Sequence, residues 1–286
     1  MGKIKIIKRA FKLILTNSHF ILMLNGIFFS SIFYFFIESQ YENELFSKIS
    51  SSIYHECPAC KIDDELFFVK TMHTTYSMQF SRKVIFDGET FSSIKSVYLR
   101  SADSHLMDAL GACGSFSTVL ARTLQVSGYS VKIAQMKVSG VFGGHMVVEA
   151  KEKRGNWVVL DPLFNTAFKD QNGRLVGFED VKNNWNYYKL QVPSSYDLRY
   201  RYEDARFTNW DKFGGLSRTI KKGLDWLLGK QNADSFSLHP YFLNLYQAYL
   251  IVLIFLYIPL FFYTLKRCYR FMKYRWPQFM AELKDN

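Results

Sequence analysis

The sequence predicts an α+β domain, a helix packed on an antiparallel sheet, enclosed between two membrane-spanning helices. Three observations carry that expectation. Two long uncharged stretches lie toward the two ends of the 286 residues. Between them, the stretch 113–161 passes from helical spacing to strand alternation. The positive charge collects outside that middle region.

The first uncharged stretch is 13–37, without Asp, Glu, Lys or Arg. A helix needs about 20 apolar residues to cross roughly 30 Å of hydrocarbon, so a span is assigned to 17–38. The apolar run ends Phe35-Phe36-Ile37-Glu38-Ser39 with no small-residue cleavage pattern, which reads as an uncleaved anchor rather than a signal peptide. The second uncharged stretch is 235–265, and its span is assigned to 241–264. Pro259 falls inside it, which membrane helices tolerate. Tyr241, Tyr246, Tyr263, Tyr269, Tyr274 and Trp276 flank it as an interfacial belt would.

The net charge is +11. Residues 1–16 contribute +5, from Lys3, Lys5, Lys8, Arg9 and Lys12. Residues 265–286 contribute +4, six basic side chains against Glu282 and Asp285. Only 11 − 9 = +2 is left for everything between. A nucleic-acid-binding domain spreads its charge over a folded face, so no nucleic-acid partner is expected. A hydrophobic fraction of 49% excludes disorder. Basic flanks mark the cytoplasmic side, so both tails are expected in the cytoplasm and 39–235 outside it. The stretch 214–230 is amphipathic: Leu216, Ile220, Leu224, Leu227 and Leu228 oppose Arg218, Lys221 and Lys222. It is expected to lie on membrane lipid.

Residues 40–105 read as a juxtamembrane helix, a cysteine loop and short mixed elements. The stretch 67–82 alternates weakly, which reads as a strand. Cys57-Pro58-Ala59-Cys60 is the chain's C-x-x-C, open to a redox pair, half a zinc site or a local disulfide. No second C-x-x-C or close His pair completes a zinc site, so a disulfide is the favoured reading and no metal or cofactor is expected. His73 and His105 read as surface or packing residues, and Cys268 as an ordinary thiol.

Cys113 opens a helical pattern in which Phe116, Val119, Leu120 and Leu124 form an apolar stripe, closed by Gly128. Strands follow at 130–138, 145–150 and 157–161, with a glycine-rich turn before His145 and a polar turn at 151–156. The dipole and unpaired amides at a helix start stabilise a thiolate and offer N–H groups to an oxyanion. A thiolate needs a base within reach, and the base needs an orienting acceptor. His145 begins one strand and Asp161 ends its antiparallel neighbour, so the two fall on one edge. Gly114, Gly144, Glu149 and Trp157 are supporting candidates. Glu149 shares a face with His145 but reads more simply as a solvated edge carboxylate. Trp157 reads as packing under the hairpin, and Gly144 as a close approach or a tight turn.

The runs Gly111-Ala112-Cys113-Gly114-Ser115-Phe116-Ser117, Gly143-Gly144-His145-Met146-Val147-Val148-Glu149 and Trp157-Val158-Val159-Leu160-Asp161-Pro162, in that order, resemble the transglutaminase-like superfamily, whose core is papain-related. The close resemblance covers about 55–60 residues. It implies a transglutaminase-like core over about 65–192, with Cys113 the nucleophile, His145 the general base and acid, and Asp161 the orienter. It implies acyl transfer through a thioester on an amide or peptide bond, resolved by water or by a second amine. With the two-span plan it implies a bacterial inner membrane with the domain on the periplasmic side, and that location in turn points to a peptide, protein or glycopeptide of the cell envelope as substrate. Members without activity exist, so the alternative is a binding or assembly module of a membrane complex. No residue just before Cys113 fills the second oxyanion position. After the core, 170–174 reads as a turn and 178–188 as a helix. The stretch 196–210, rich in Tyr, Arg and Asp, is suited to binding a sugar or peptide by stacking and bidentate contacts, but reads more simply as a subdomain packed over the core.

Overall fold

The computed structural model describes residues 18–85, 98–108, 112–209, 215–229 and 237–275. The basic tail 1–16, Gly111, and the end of the second tail with Trp276 and Lys284 lie outside the described residues. The chain divides into two compact units: Gln40–Leu245, and the terminal segments Met1–Ser39 with Tyr246–Asn286.

Helix α1, Ser18–Glu56, has 39 residues. At 1.5 Å per residue it is about 58 Å long, well beyond a bilayer core. Its later turns bury Phe46, Ile49 and Ile53 in the domain core. A 3₁₀ turn, Pro58–Lys61, follows, and Cys57 and Cys60 are joined there by a disulfide with Cα atoms 5.4 Å apart.

The expected strand over 67–82 is instead part of helix α2, Asp64–Ile85. Val69, Thr71, Thr74 and Thr75 supply β-branched side chains that favour a strand locally. The buried positions decide otherwise: Phe67, Phe68, Thr71, Met72, Thr75 and Gln79 follow helical spacing. The threonines turn their hydroxyls back, Thr71 donating to the Phe67 carbonyl at 2.7 Å and Thr75 to that of Thr71 at 2.9 Å. Asp63 Oδ1 accepts the Leu66 amide at 3.0 Å and caps the first turn.

After α3, Ala102–Asp108, comes α4, Cys113–Val126. Gly128, at φ +91°, ends α4 as expected, with the Tyr129 amide donating back to the Leu124 carbonyl. Strands β1 (Val131–Val138), β2 (Val141–Lys151) and β3 (Trp157–Asp161) then form the expected antiparallel meander. Two-residue strands β4 (Thr166–Ala167) and β5 (Ala205–Arg206) complete the sheet in the order β4-β3-β2-β1-β5. One face carries Val131, Ile133, Val148, Ala150, Val158 and Leu160, in a core shared with residues of α2 and α4. The other carries Ala134, Met136, Val147 and Val159 beneath Phe168, Phe178, Tyr188, Tyr196 and Tyr202. The covering chain includes the short helices α5 (Phe178–Asn183) and α6 (Trp185–Tyr188). The expectation of a helix at 178–188 and of packing over the core thus holds in outline.

Arg122 of α4 is buried against Glu42 of α1 at 3.0 Å and also donates to Asn43 and to Gln125. Asn244 donates to the same Asn43 oxygen at 3.1 Å. Removing one partner of such a pair strands a buried charge and costs about 3–5 kcal/mol.

Helix α7, Gly215–Leu228, matches the expected amphipathic stretch. Short helix α8, His239–Phe242, precedes α9, Leu245–Arg270, which continues through Pro259. α1 and the α9 region are both long and apolar enough to cross a membrane. In the unit formed by the terminal segments, Asn25 donates to Thr264 at 3.0 Å and accepts from Tyr257 at 3.2 Å. Such bonds hold apolar helices together where no water competes.

Candidate active site

Cys113 is the first residue of α4, and its thiol is free and half-buried. The Ser115 amide donates to the Ala112 carbonyl at 3.2 Å, closing the first turn of α4. Two side chains anchor this turn. Ser115 Oγ is 3.0 Å from His105 Nδ1 of α3, and Ser117 Oγ donates to the Met146 carbonyl of β2 at 3.0 Å. His105, read from sequence as a packing residue, is one of these anchors. Gly114 keeps α4 close to β2, since a Cβ there would lie 3.4 Å from Met146 Sδ.

His145 is placed by an irregularity in β2. Met136 pairs with His145 but Lys137 pairs with Phe142, so Gly143 and Gly144 are extra residues on the β2 side. Such a bulge re-aims the adjoining side chain. Gly143 has φ +91°, which favours glycine. Gly144 is held by a close approach instead, because a Cβ would sit 2.6 Å from Val138 Cβ.

Val148 of β2 pairs with Leu160 of β3. Continuing that register, Val147 faces Asp161, and His145 is the diagonal neighbour of Asp161 on the same side. Asp161 Oδ2 is 2.7 Å from His145 Nε2, and both side chains are fully buried. Nδ1, the other ring nitrogen, is buried without a hydrogen-bond partner. Burial opposes charge on the ring, but the hydrogen bond to Asp161, with the nearby Cys113 and the negative charge of Asp161, outweighs it, and the His145 pKa is pushed up to about 9. Cys113 thus lies near enough to raise the imidazole pKa, without a hydrogen bond between sulfur and ring nitrogen. Of the three residues singled out by sequence, the structure pairs His145 with Asp161 at one end of the sheet, with Cys113 at the nearby start of α4.

The sequence placed 196–210 over the core but did not single out which rings cover this pair. Tyr200 lies flat on the imidazole, centroids 4.2 Å apart and planes 3° apart. Phe164 packs on the same ring at 5.8 Å, and Tyr196 packs on Phe164 at 4.5 Å. These rings keep water from the Asp161–His145 pair, where a dry surrounding strengthens the interaction. Tyrosine richness in 196–210 was the available signal, but nothing local tied it to His145.

The other candidates stand elsewhere. Glu149 is buried, not solvated as read from sequence, and Oε1 accepts the Phe178 amide at 3.3 Å at the start of α5. Burial pushes its carboxyl pKa up. At about 3.3 Å per residue it is roughly 13 Å along β2 from His145. Trp157 is at the far end of β3, with Lys132 Nζ 4.2 Å from its ring centre. It lines a cleft of about 400 Å³ with Glu65, Arg174, Asp180 and Tyr188. Among the described residues, no group of three or more His, Cys, Asp or Glu side chains is arranged to hold a metal ion. Comparison of the chain with protein-family models, curated proteins and solved structures finds no match to any of them.

Proposed function

We propose that this chain is a membrane-anchored, transglutaminase-like thiol enzyme that transfers acyl groups outside the cytoplasm. The observation that carries this is the buried Asp161–His145 pair with Cys113 acting on the same imidazole from a helix start. His145 beside Cys113 is the group that takes up the thiol proton as the sulfur attacks. The sulfur attacks the carbonyl carbon of an amide, a C–S bond forms, and the electron pair moves to oxygen. First-turn amides of α4 are suited to receive that oxyanion. Collapse breaks the C–N bond, and the leaving amine takes the proton of His145. Water or a second amine then attacks the thioester, gives a proton back to neutral His145 and expels the thiolate. Asp161 holds the ring with Nε2 inward, which leaves Nδ1 for these transfers.

The substrate class follows from location: a peptide, protein or glycopeptide of the cell envelope. Basic tails outside the two spans support cytoplasmic ends and an external domain. Helix α7, with Trp226 84% and Leu227 68% exposed beside Lys221 and Lys222, suits the surface of that same membrane. A second reading, a non-catalytic assembly module, is favoured by the full burial of His145 under Tyr200. Full-length protein in lipid nanodiscs, incubated with cell-envelope peptides, separates the two. Amine release or amine incorporation by wild type and not by Cys113→Ala supports the enzyme. Binding of those peptides by both, with turnover by neither, supports the module.

A further inference from the structure

Asp161 uses one oxygen, Oδ2, on His145. The other, Oδ1, is buried and has no hydrogen-bond partner. A carboxylate oxygen in that state is costly, and one explanation is a donor within reach that has yet to turn toward it. Two phenols supply donors in the same dry compartment. Tyr202 is fully buried and its hydroxyl also has no partner. Its backbone is in the left-handed region at φ +57°, which is uncommon for a non-glycine residue. Tyr196 is buried, and its hydroxyl donates to the Tyr200 carbonyl at 3.3 Å, longer than the usual O–H···O distance of about 2.8 Å. Both rings pack on Trp185, at 6.3 and 5.7 Å.

We propose that Tyr196 and Tyr202 are positioning residues for the Asp161–His145 pair: the Tyr202 hydroxyl donates to Tyr196 Oη, and the Tyr196 hydroxyl, turned away from its long bond to the Tyr200 carbonyl, donates instead to Asp161 Oδ1. This rests on the reading of Asp161 as the orienter of His145. The electrostatics agree in direction. Burial first, and then the nearby charge of Asp161, raises the Tyr196 pKa, while hydrogen bonding to Tyr202 lowers it. Burial, with Tyr196 and Asp161, raises that of Tyr202. Both phenols therefore stay protonated as donors. A donor on Oδ1 fixes the carboxylate plane and draws negative charge away from Oδ2. It thereby moderates the hold of Asp161 on the imidazolium proton. The charged or titratable groups facing His145 are Asp161 from β3, Cys113 from α4, and Asp197 and Tyr200 from the covering segment.

The test is the His145 imidazole titration, followed by NMR on full-length protein in nanodiscs with labelled histidine and assigned by comparison with His145→Gln. Tyr196→Phe keeps the ring and removes the hydroxyl. Its titration midpoint is expected to move up by about half a pH unit. Tyr202→Phe is expected to move it up by less, and Tyr187→Phe, with a hydroxyl elsewhere, not at all. A merely structural role would lower the melting temperature and leave the midpoint in place; an unmoved midpoint in folded Tyr196→Phe overturns the proposal. If that variant does not fold, Tyr202→Phe carries the same test, and an unmoved midpoint there overturns it. The titration does not use Cys113 reactivity, so failure of the enzyme reading would show separately, as absent turnover with the midpoint shift intact.

Discussion

The two faces of the sheet come from the same three long strands but solve burial in opposite ways. One carries Val131, Ile133, Val148, Ala150, Val158 and Leu160, in one continuous apolar cluster with residues of α2 and α4. The other carries His145, Glu149 and Asp161, all buried, among Met136, Val147 and Val159. There the cover is aromatic: Phe164, Tyr196, Tyr200 and Tyr202. On the first face burial is its own compensation, at about 25 cal/mol per Å² of apolar surface. On the second, each polar group needs a partner: His145 has Asp161 and Glu149 has the Phe178 amide. Alternation along one strand thus sends adjacent residues to an apolar core on one face and to a buried polar pair on the other.

Adjacent substitutions on β3 test that division with the largest effect. Asp161→Ala leaves a buried imidazole without its acceptor and is expected to slow Cys113-dependent turnover by on the order of 10²–10⁴-fold. Leu160→Ala, on the apolar face, is expected to cost about 2–5 kcal/mol of stability while folded protein keeps its turnover. Thermal melts and rates normalised to folded protein distinguish the two; equal rate losses would erase the difference between the faces.

The next effect is pH dependence. The His145 pKa rises from 6.5 to about 9 on folding, so the folded state binds that proton more tightly. The stabilisation is complete below the unfolded value of 6.5 and is lost as pH rises through about 9. It amounts to roughly 3 kcal/mol, and His145→Gln is expected to flatten that part of the stability–pH curve, read by denaturant unfolding. Gly144→Ala follows, because its Cβ must displace Val138, at a cost of about 1–3 kcal/mol with His145 shifted at the bulge. The smallest effect is expected for Glu149→Gln. Its carboxyl is already pushed toward the neutral form by burial, and the Phe178 amide keeps an acceptor. A stability change within about 1 kcal/mol and an unmoved His145 titration are expected.

Sequence periodicity located β1, β2, β3 and α4 because each has local signals: alternation, a closing glycine, a proline after Asp161. The pairing of His145 with Asp161 was legible because the two fall at the ends of adjacent antiparallel strands. Helix α2 was not, since its β-branched residues favour a strand and only tertiary burial of Phe67, Met72 and Thr75 selects the helix. The role of Glu149 and the stacking of Tyr200 on His145 were not legible either. Both join residues about 30 or more apart in sequence, and no local pattern encodes such pairs.

Whether Cys113 is an activated nucleophile paired with His145 can be read by haloacetamide labelling of the full-length protein in nanodiscs. Mass spectrometry would follow Cys113 and the exposed Cys268 separately. Wild type is expected to label at Cys113 faster than at Cys268 near neutral pH, with a step near the His145 titration at about 9. His145→Ala is expected to lose the step and slow Cys113 by about tenfold or more. Equal Cys113 labelling in the two proteins, with no step near 9, would contradict an activated pair.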